Sequence, residues 1–128
     1  MNLIIDVGNT FIKLAVFKNN LLIKKINTSK EKFFEDFERI SIEHKNLINV
    51  IISSVGFFSE EAILIIKEKY PTIILSHKAH LPFTNKYKTP LTLGSDRIAL
   101  VSAAAIKYPS KDVLIIDVGS CITFDFKN

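Results

Sequence analysis

A chain of 128 residues, 48% of them apolar and 23% charged, has enough apolar matter for a packed core without disulfide staples or a structural metal. Its single cysteine, Cys121, excludes a disulfide framework within the chain and suits a reducing compartment, so a cytoplasmic protein is expected. The formal charge of +4 is carried by lysines interleaved with Glu and Asp, which is a solvated surface rather than a nucleic-acid stripe, and the only arginines are Arg39 and Arg97.

Residues 2–6 read as a short apolar strand ending in Asp6, without the basic start and cleavage site of an export signal. Gly8-Asn9 is turn chemistry tolerant of positive φ, residues 12–17 form a second strand, and Asn19-Asn20 turns tightly into a third over 21–26. An antiparallel meander opens the fold. Thr28 or Ser29 can cap a helix that aligns Phe33, Phe34, Phe37, Ile40 and His44 on one face. A fully apolar strand over 49–54 follows, then a helix from Ser59 with Ile63, Ile66 and Tyr70 inward, stopped by Pro71, and a short strand at 73–75. Continuous apolar strands alternating with helices predict an α/β protein whose mixed sheet is covered on its faces. The longest apolar runs, near 50–58 and 113–116, are far below the roughly 20 residues of a membrane-spanning helix, so no membrane partner is expected.

From 77 to 94 periodicity disappears and Pro, Lys and Thr accumulate, which marks a long loop of the kind that carries function. Ser95 can cap a helix over 96–108 with Ile98, Ala99, Ser102 and Ala103 packing inward and Pro109 ending it. The frame Ile4-Ile5-Asp6-Val7-Gly8 then returns as Ile115-Ile116-Asp117-Val118-Gly119, followed by a second strand at 122–126. Two domains of one type are expected: 1–95, including the loop 77–95, and 96–128, a linking helix and the first hairpin of an incomplete second domain.

An acid at a strand end, then Gly and a hydroxyl or amide residue in a tight turn, presents backbone N–H groups to an anion. The acid would repel a bare phosphate, so its presence suggests a magnesium ion or a monovalent cation bridging carboxylate and phosphate oxygens. Lys13 is within reach of the same phosphates. One such motif is most simply a hairpin turn; two copies in one frame favour phosphate. Asp96, in the first turn of its helix, stays ionised near the positive dipole end and suits a proton acceptor, while Arg97 suits a carboxylate. His44, His77 and His80 show no metal-ligand spacing, and Cys121 is expected to be small and buried.

Asp6-Val-Gly-Asn-Thr10 with Lys13, Thr89-Pro-Leu-Thr-Leu-Gly-Ser-Asp-Arg97, and Asp117-Val-Gly-Ser-Cys-Ile-Thr-Phe-Asp125 together resemble, in order and spacing, three motifs of type III pantothenate kinases. That family sits in the superfamily of acetate kinase, sugar kinases, heat-shock chaperones and actin. The resemblance covers the N-terminal half of such an enzyme and implies a ribonuclease H-like sheet followed by the start of a second domain of that type. It implies ATP contacts at Asp6, Val7, Gly8, Asn9, Thr10, Phe11, Ile12, Lys13 and Ser120, and pantothenate contacts at Tyr87, Gly94, Ser95, Asp96 and Arg97. Asp96 would be the general base, Asp117 a ligand of K⁺ or NH₄⁺, Asp6 a partner of Mg²⁺ through water, and Asp125 either a further metal ligand or an ordinary hairpin acid. A homodimer completing the site with a C-terminal half, and little activity from these residues alone, are also implied. A non-catalytic ligand-binding or transcription accessory protein of the same family is the alternative.

Overall fold

The computed structural model describes residues 1–128. Strands β1 (Asn2–Val7), β2 (Ile12–Lys18) and β3 (Leu21–Thr28) form the expected meander, with Asp6 opposite Lys13 across the first hairpin. Period-two alternation drives it, since Leu3, Ile5 and Val7 on β1 and Ile12, Leu14 and Val16 on β2 are buried on one face. Ile4, Asp6 and Ala15 on the other face stay half-buried, so strands expected to be covered on both sides alternate instead. Asn19 adopts φ 54° in the second turn, a left-handed conformation that asparagine tolerates. No glycine has positive φ, so the first turn does not use the freedom that Gly8-Asn9 suggested. Gly8 is needed for tightness: a Cβ there would lie 3.1 Å from the Phe11 carbonyl oxygen.

Helix α1 (Phe33–Glu43) leads to β4 (Asn49–Ser54), and α2 (Glu60–Lys69) to β5 (Thr72–Ile74). Strand β4 lies parallel to β1 and β5 parallel to β4, giving a mixed sheet ordered β3-β2-β1-β4-β5. Parallel neighbours need crossovers, and α1 and α2 lie in those connections. Phe33, Phe37 and Ile40 of α1 and Ala62 and Ile66 of α2 join the buried strand residues in one core cluster. Phe34, expected on the same face, is 37% exposed because the position after Phe33 turns about 100° away around the helix. The expected cap also shifts. The helix begins at Phe33 with Lys32 as an uncapped N-cap; Ser29 Oγ accepts from the Lys32 N–H at 3.4 Å, while the Thr28 hydroxyl donates to the Ser29 carbonyl. The helix expected from Ser59 begins one residue later, with Ser59 as its cap, its Oγ accepting from the Ala62 N–H at 3.2 Å.

Residues Met1–Leu75 form one compact unit and Ser76–Asn128 a second, so the loop 77–95 groups with the helix after it. That loop contains a 3₁₀ turn at Pro90–Thr92, tied by the Thr92 hydroxyl donating to the Thr89 carbonyl at 2.9 Å. Helix α3 (Ser95–Lys107) starts one residue earlier than expected, with Gly94 at the N-cap and Ser95 buried as its first residue. Ser95, Ile98, Val101 and Ala104 make its buried face; Ala99 and Ala103, expected inward, are exposed. In an alanine-rich stretch apolar periodicity is weak, so the sequence gives little contrast between faces. No helix is long and apolar enough to cross a membrane.

Strands β6 (Val113–Val118) and β7 (Ile122–Lys127) form a separate antiparallel pair. The Lys127 ammonium donates to the Tyr108 and Lys111 carbonyls at 3.0 and 2.8 Å, tying the hairpin to the end of α3. The opposite face pairs Leu114 with Phe126, Ile116 with Phe124 and Val118 with Ile122, and each of the six is between 54% and 72% exposed.

Candidate functional site

The first turn hangs between Val7 and Ile12, which are buried and anchor its base. The Gly8 N–H donates to the Phe11 carbonyl at 3.0 Å, and Asn9, Thr10 and Phe11 are exposed at the tip. Lys13 reaches Asp6 at 3.4 Å, with side chains 54% and 35% exposed. Such an exposed pair contributes about 1 kcal/mol at most, so an arriving anion can draw the ammonium away. An amide, a hydroxyl, an ammonium and one carboxylate form a donor set that fits phosphate together with a hydrated divalent cation.

A residue missed in the sequence supports this turn. The segment after β4 packs beneath it, with the Val55 and Gly56 N–H groups donating to the Val7 carbonyl at 3.1 and 3.3 Å. A Cβ on Gly56 would stand 2.4 Å from the Gly8 carbonyl oxygen. The signal was a glycine immediately past a buried strand, where backbones commonly approach closely. Gly56→Ala must push the turn outward, so it is expected to cost about 1–3 kcal/mol of stability. Urea unfolding measures the loss, and an unchanged value would show that the turn does not depend on this contact.

The second turn shares the frame up to the glycine and then is one residue shorter. Val7 pairs with Ile12 in the first hairpin, whereas Val118 pairs with Ile122 in the second, where the Gly119 N–H donates to the Cys121 carbonyl at 2.9 Å. Ser120 and Cys121 are exposed at its tip, which corrects the buried position expected for the cysteine. Asp117 lies across the register from Thr123, whose Oγ1 is buried without a hydrogen-bond partner. A carboxylate and an orphan hydroxyl on one face are oxygen donors of the kind a hard monovalent cation takes. No three His, Cys, Asp or Glu residues converge anywhere, so a cation at either turn would rely on phosphate oxygens and water besides its carboxylate. His77 and His80 are exposed and His44 is half-buried.

Tyr87, Arg97 and Asp125 line an open cleft of about 800 Å³ together with Phe83, Leu93 and Phe124, among others. Arg97 donates from Nε to Asp125 Oδ2 at 2.9 Å and from Nη2 to Oδ1 at 2.6 Å, and more weakly from Nη2 to the Phe124 carbonyl at 3.4 Å. Its guanidinium carbon sits 5.0 Å from the Tyr87 ring centroid. The Asp125 hydrogen bonds raise the Arg97 pKa further above its ordinary value against the opposing effect of burial. Asp125 therefore spends both carboxylate oxygens on Arg97. Asp96 is half-buried in the first turn of α3, where its Oδ1 accepts from the Arg97 backbone N–H at 2.8 Å. Gly94, Ser95 and Asp96 lie outside the lining of the cleft that brings Tyr87, Arg97 and Asp125 together.

A mixed five-stranded sheet opened by an antiparallel meander is consistent with the actin and sugar-kinase class of α/β folds. Residues 2–127 match the family model described as type III pantothenate kinase, and the chain belongs to that family. Similar proteins include the type III pantothenate kinase of Christiangramia forsetii, 50% identical over 99% of this chain and 52% of that protein. Those of Phocaeicola vulgatus and Flavobacterium psychrophilum are 43% and 39% identical, each over 98% of this chain and 52% of theirs. The chain spans about half the length of the curated relatives it matches.

Proposed function

We propose that the chain supplies the phosphate turns and substrate loop of an enzyme that transfers the γ-phosphoryl group of ATP to the primary alcohol of pantothenate, the first step of coenzyme A synthesis. The observation that carries this reading is the repeated hairpin, an acid and a glycine turn at Asp6-Gly8 and again at Asp117-Gly119, each with a polar exposed tip. Asp6 to Lys13 and Ser120 contact ATP, chiefly through backbone N–H groups and the Lys13 ammonium. Asp6 would hold Mg²⁺ through water and Asp117, with Thr123, would hold K⁺ or NH₄⁺, and ions bound there would neutralise phosphate charge. Gly94, Ser95, Tyr87 and Arg97 hold pantothenate, Arg97 through the substrate carboxylate. Asp96 accepts the alcohol proton as the new oxygen–phosphorus bond forms and the bond from the γ-phosphorus to the β–γ bridging oxygen breaks, releasing ADP.

The six-residue apolar face of β6 and β7 supports reading this pair as the start of a second domain like the first, since an exposed patch of that kind is normally covered. The working enzyme is a homodimer of the whole protein in the cytoplasm, and residues 1–128 alone turn over little. Pantothenate-dependent ADP release, assayed on this chain and on the complete product of its reading frame, tests the proposal. Release from the complete product with little from 1–128 is expected. ADP release indifferent to pantothenate would overturn the substrate assignment, and vigorous turnover by 1–128 would overturn the division of labour.

A further inference from the structure

A guanidinium has two edges that can grip a carboxylate with parallel hydrogen bonds, one between Nε and Nη2 and one between Nη1 and Nη2. In this chain the first edge is already taken. Asp125 accepts from Nε at 2.9 Å and Nη2 at 2.6 Å, the two side chains are only 20% and 13% exposed, and Tyr87 covers a face of the guanidinium. The arginine is thereby fixed in rotation and in depth at the wall of the cleft. A lone arginine on the first turn of a helix would sample many rotamers, and ordering it would fall to the ligand. The family resemblance suggested metal binding for Asp125; the hydrogen bonds suggest a different task.

We propose that Asp125 is a positioning residue that locks the Arg97 guanidinium so that its Nη1–Nη2 edge is the receptor for the substrate carboxylate, and that the Arg97–Asp125 pair stays closed while substrate binds. The inference rests on the reading above, in which Arg97 takes that carboxylate. It makes Asp125 a determinant of specificity for acids over their neutral analogues, acting through Arg97 without touching the reacting atoms. On this reading the task of Asp125 is to hold the guanidinium rather than to bind a cation, since each of its oxygens accepts from Arg97.

The experiment compares pantothenate with its primary amide, in which the carboxylate is neutral, as substrates of the complete product of the reading frame, wild type and Asp125→Asn. For wild type, pantothenate is expected to have the lower KM; no preference would sink the assignment of Arg97 itself, and the present inference with it. In Asp125→Asn the KM for pantothenate is expected to rise about tenfold or more with kcat within about twofold, while the KM for the amide stays unchanged. The unchanged amide also certifies that the variant is folded. Asp125→Glu, which keeps the charge, is expected to recover part of the loss. A wild-type preference that survives intact in Asp125→Asn overturns the positioning role alone. So does a shift in the K⁺ or Mg²⁺ activation constant at unchanged pantothenate KM, which would return Asp125 to the metal.

Discussion

Replacing Asp96 with asparagine is expected to lower turnover of the complete enzyme by at least about a hundredfold while ATP affinity is retained, the range general-base removal usually spans. The substitution is nearly isosteric. Asparagine Oδ1 can still accept from the Arg97 backbone N–H, the 2.8 Å contact that Asp96 makes in the first turn of α3, so the helix start is preserved. What disappears is the negative charge and, on the proposed mechanism, the ability to take the alcohol proton as the phosphoryl group moves. The lost interaction with the helix dipole costs only about 0.3–1 kcal/mol, which a thermal melt separates from the catalytic effect. Steady-state kinetics that remained near normal would remove Asp96 from the mechanism. Wild-type ATP affinity measured alongside guards against a general disturbance of the site.

Truncating Phe37 to alanine is expected to destabilise the protein by about 3–5 kcal/mol, a large part of what a domain has in total. The ring is fully buried, stacks on Phe33 with centroids 5.8 Å apart and meets Tyr70 edge-on at 6.3 Å. The Lys69 ammonium also lies 5.8 Å from its centroid. Alanine would leave a cavity between α1 and the sheet, bounded by the buried β1 and β2 residues that carry the first glycine turn. Urea unfolding measures the loss. A change under about 1 kcal/mol would show that the core collapses around the gap rather than depending on the aromatic stack.

The hairpins were legible because strand alternation and turn chemistry act over a few residues: Asp6, Gly8 and Lys13 lie on one hairpin, as do Asp117, Gly119 and Thr123. Pro71 and Pro109 marked helix ends correctly for the same reason, each helix closing just before them. The first-turn caps were half legible. Ser59, where a helix was expected to start, is a side-chain cap, whereas the N-cap positions of the other two helices fall on Lys32 and Gly94 rather than on Thr28, Ser29 or Ser95. The inward face of α3 was misread because alanines give little contrast, and Phe34 because adjacent phenylalanines cannot share a face.

Two relationships stayed out of reach of any local pattern. Gly56 approaches Gly8 only because β4 lands parallel to β1 with Ser54 beside Val7, a register set by the packing of the whole sheet. Arg97 meets Asp125 across 28 residues of chain because α3 and β7 pack together, which joins a residue expected to bind substrate to one expected to bind metal. Period and turn residues thus carry the order of strands and helices, the two acid–glycine bends and the family to which the chain belongs. Which groups touch was left to folding, because contacts between distant segments are selected by the burial of shared apolar surface, a property no short stretch of residues contains.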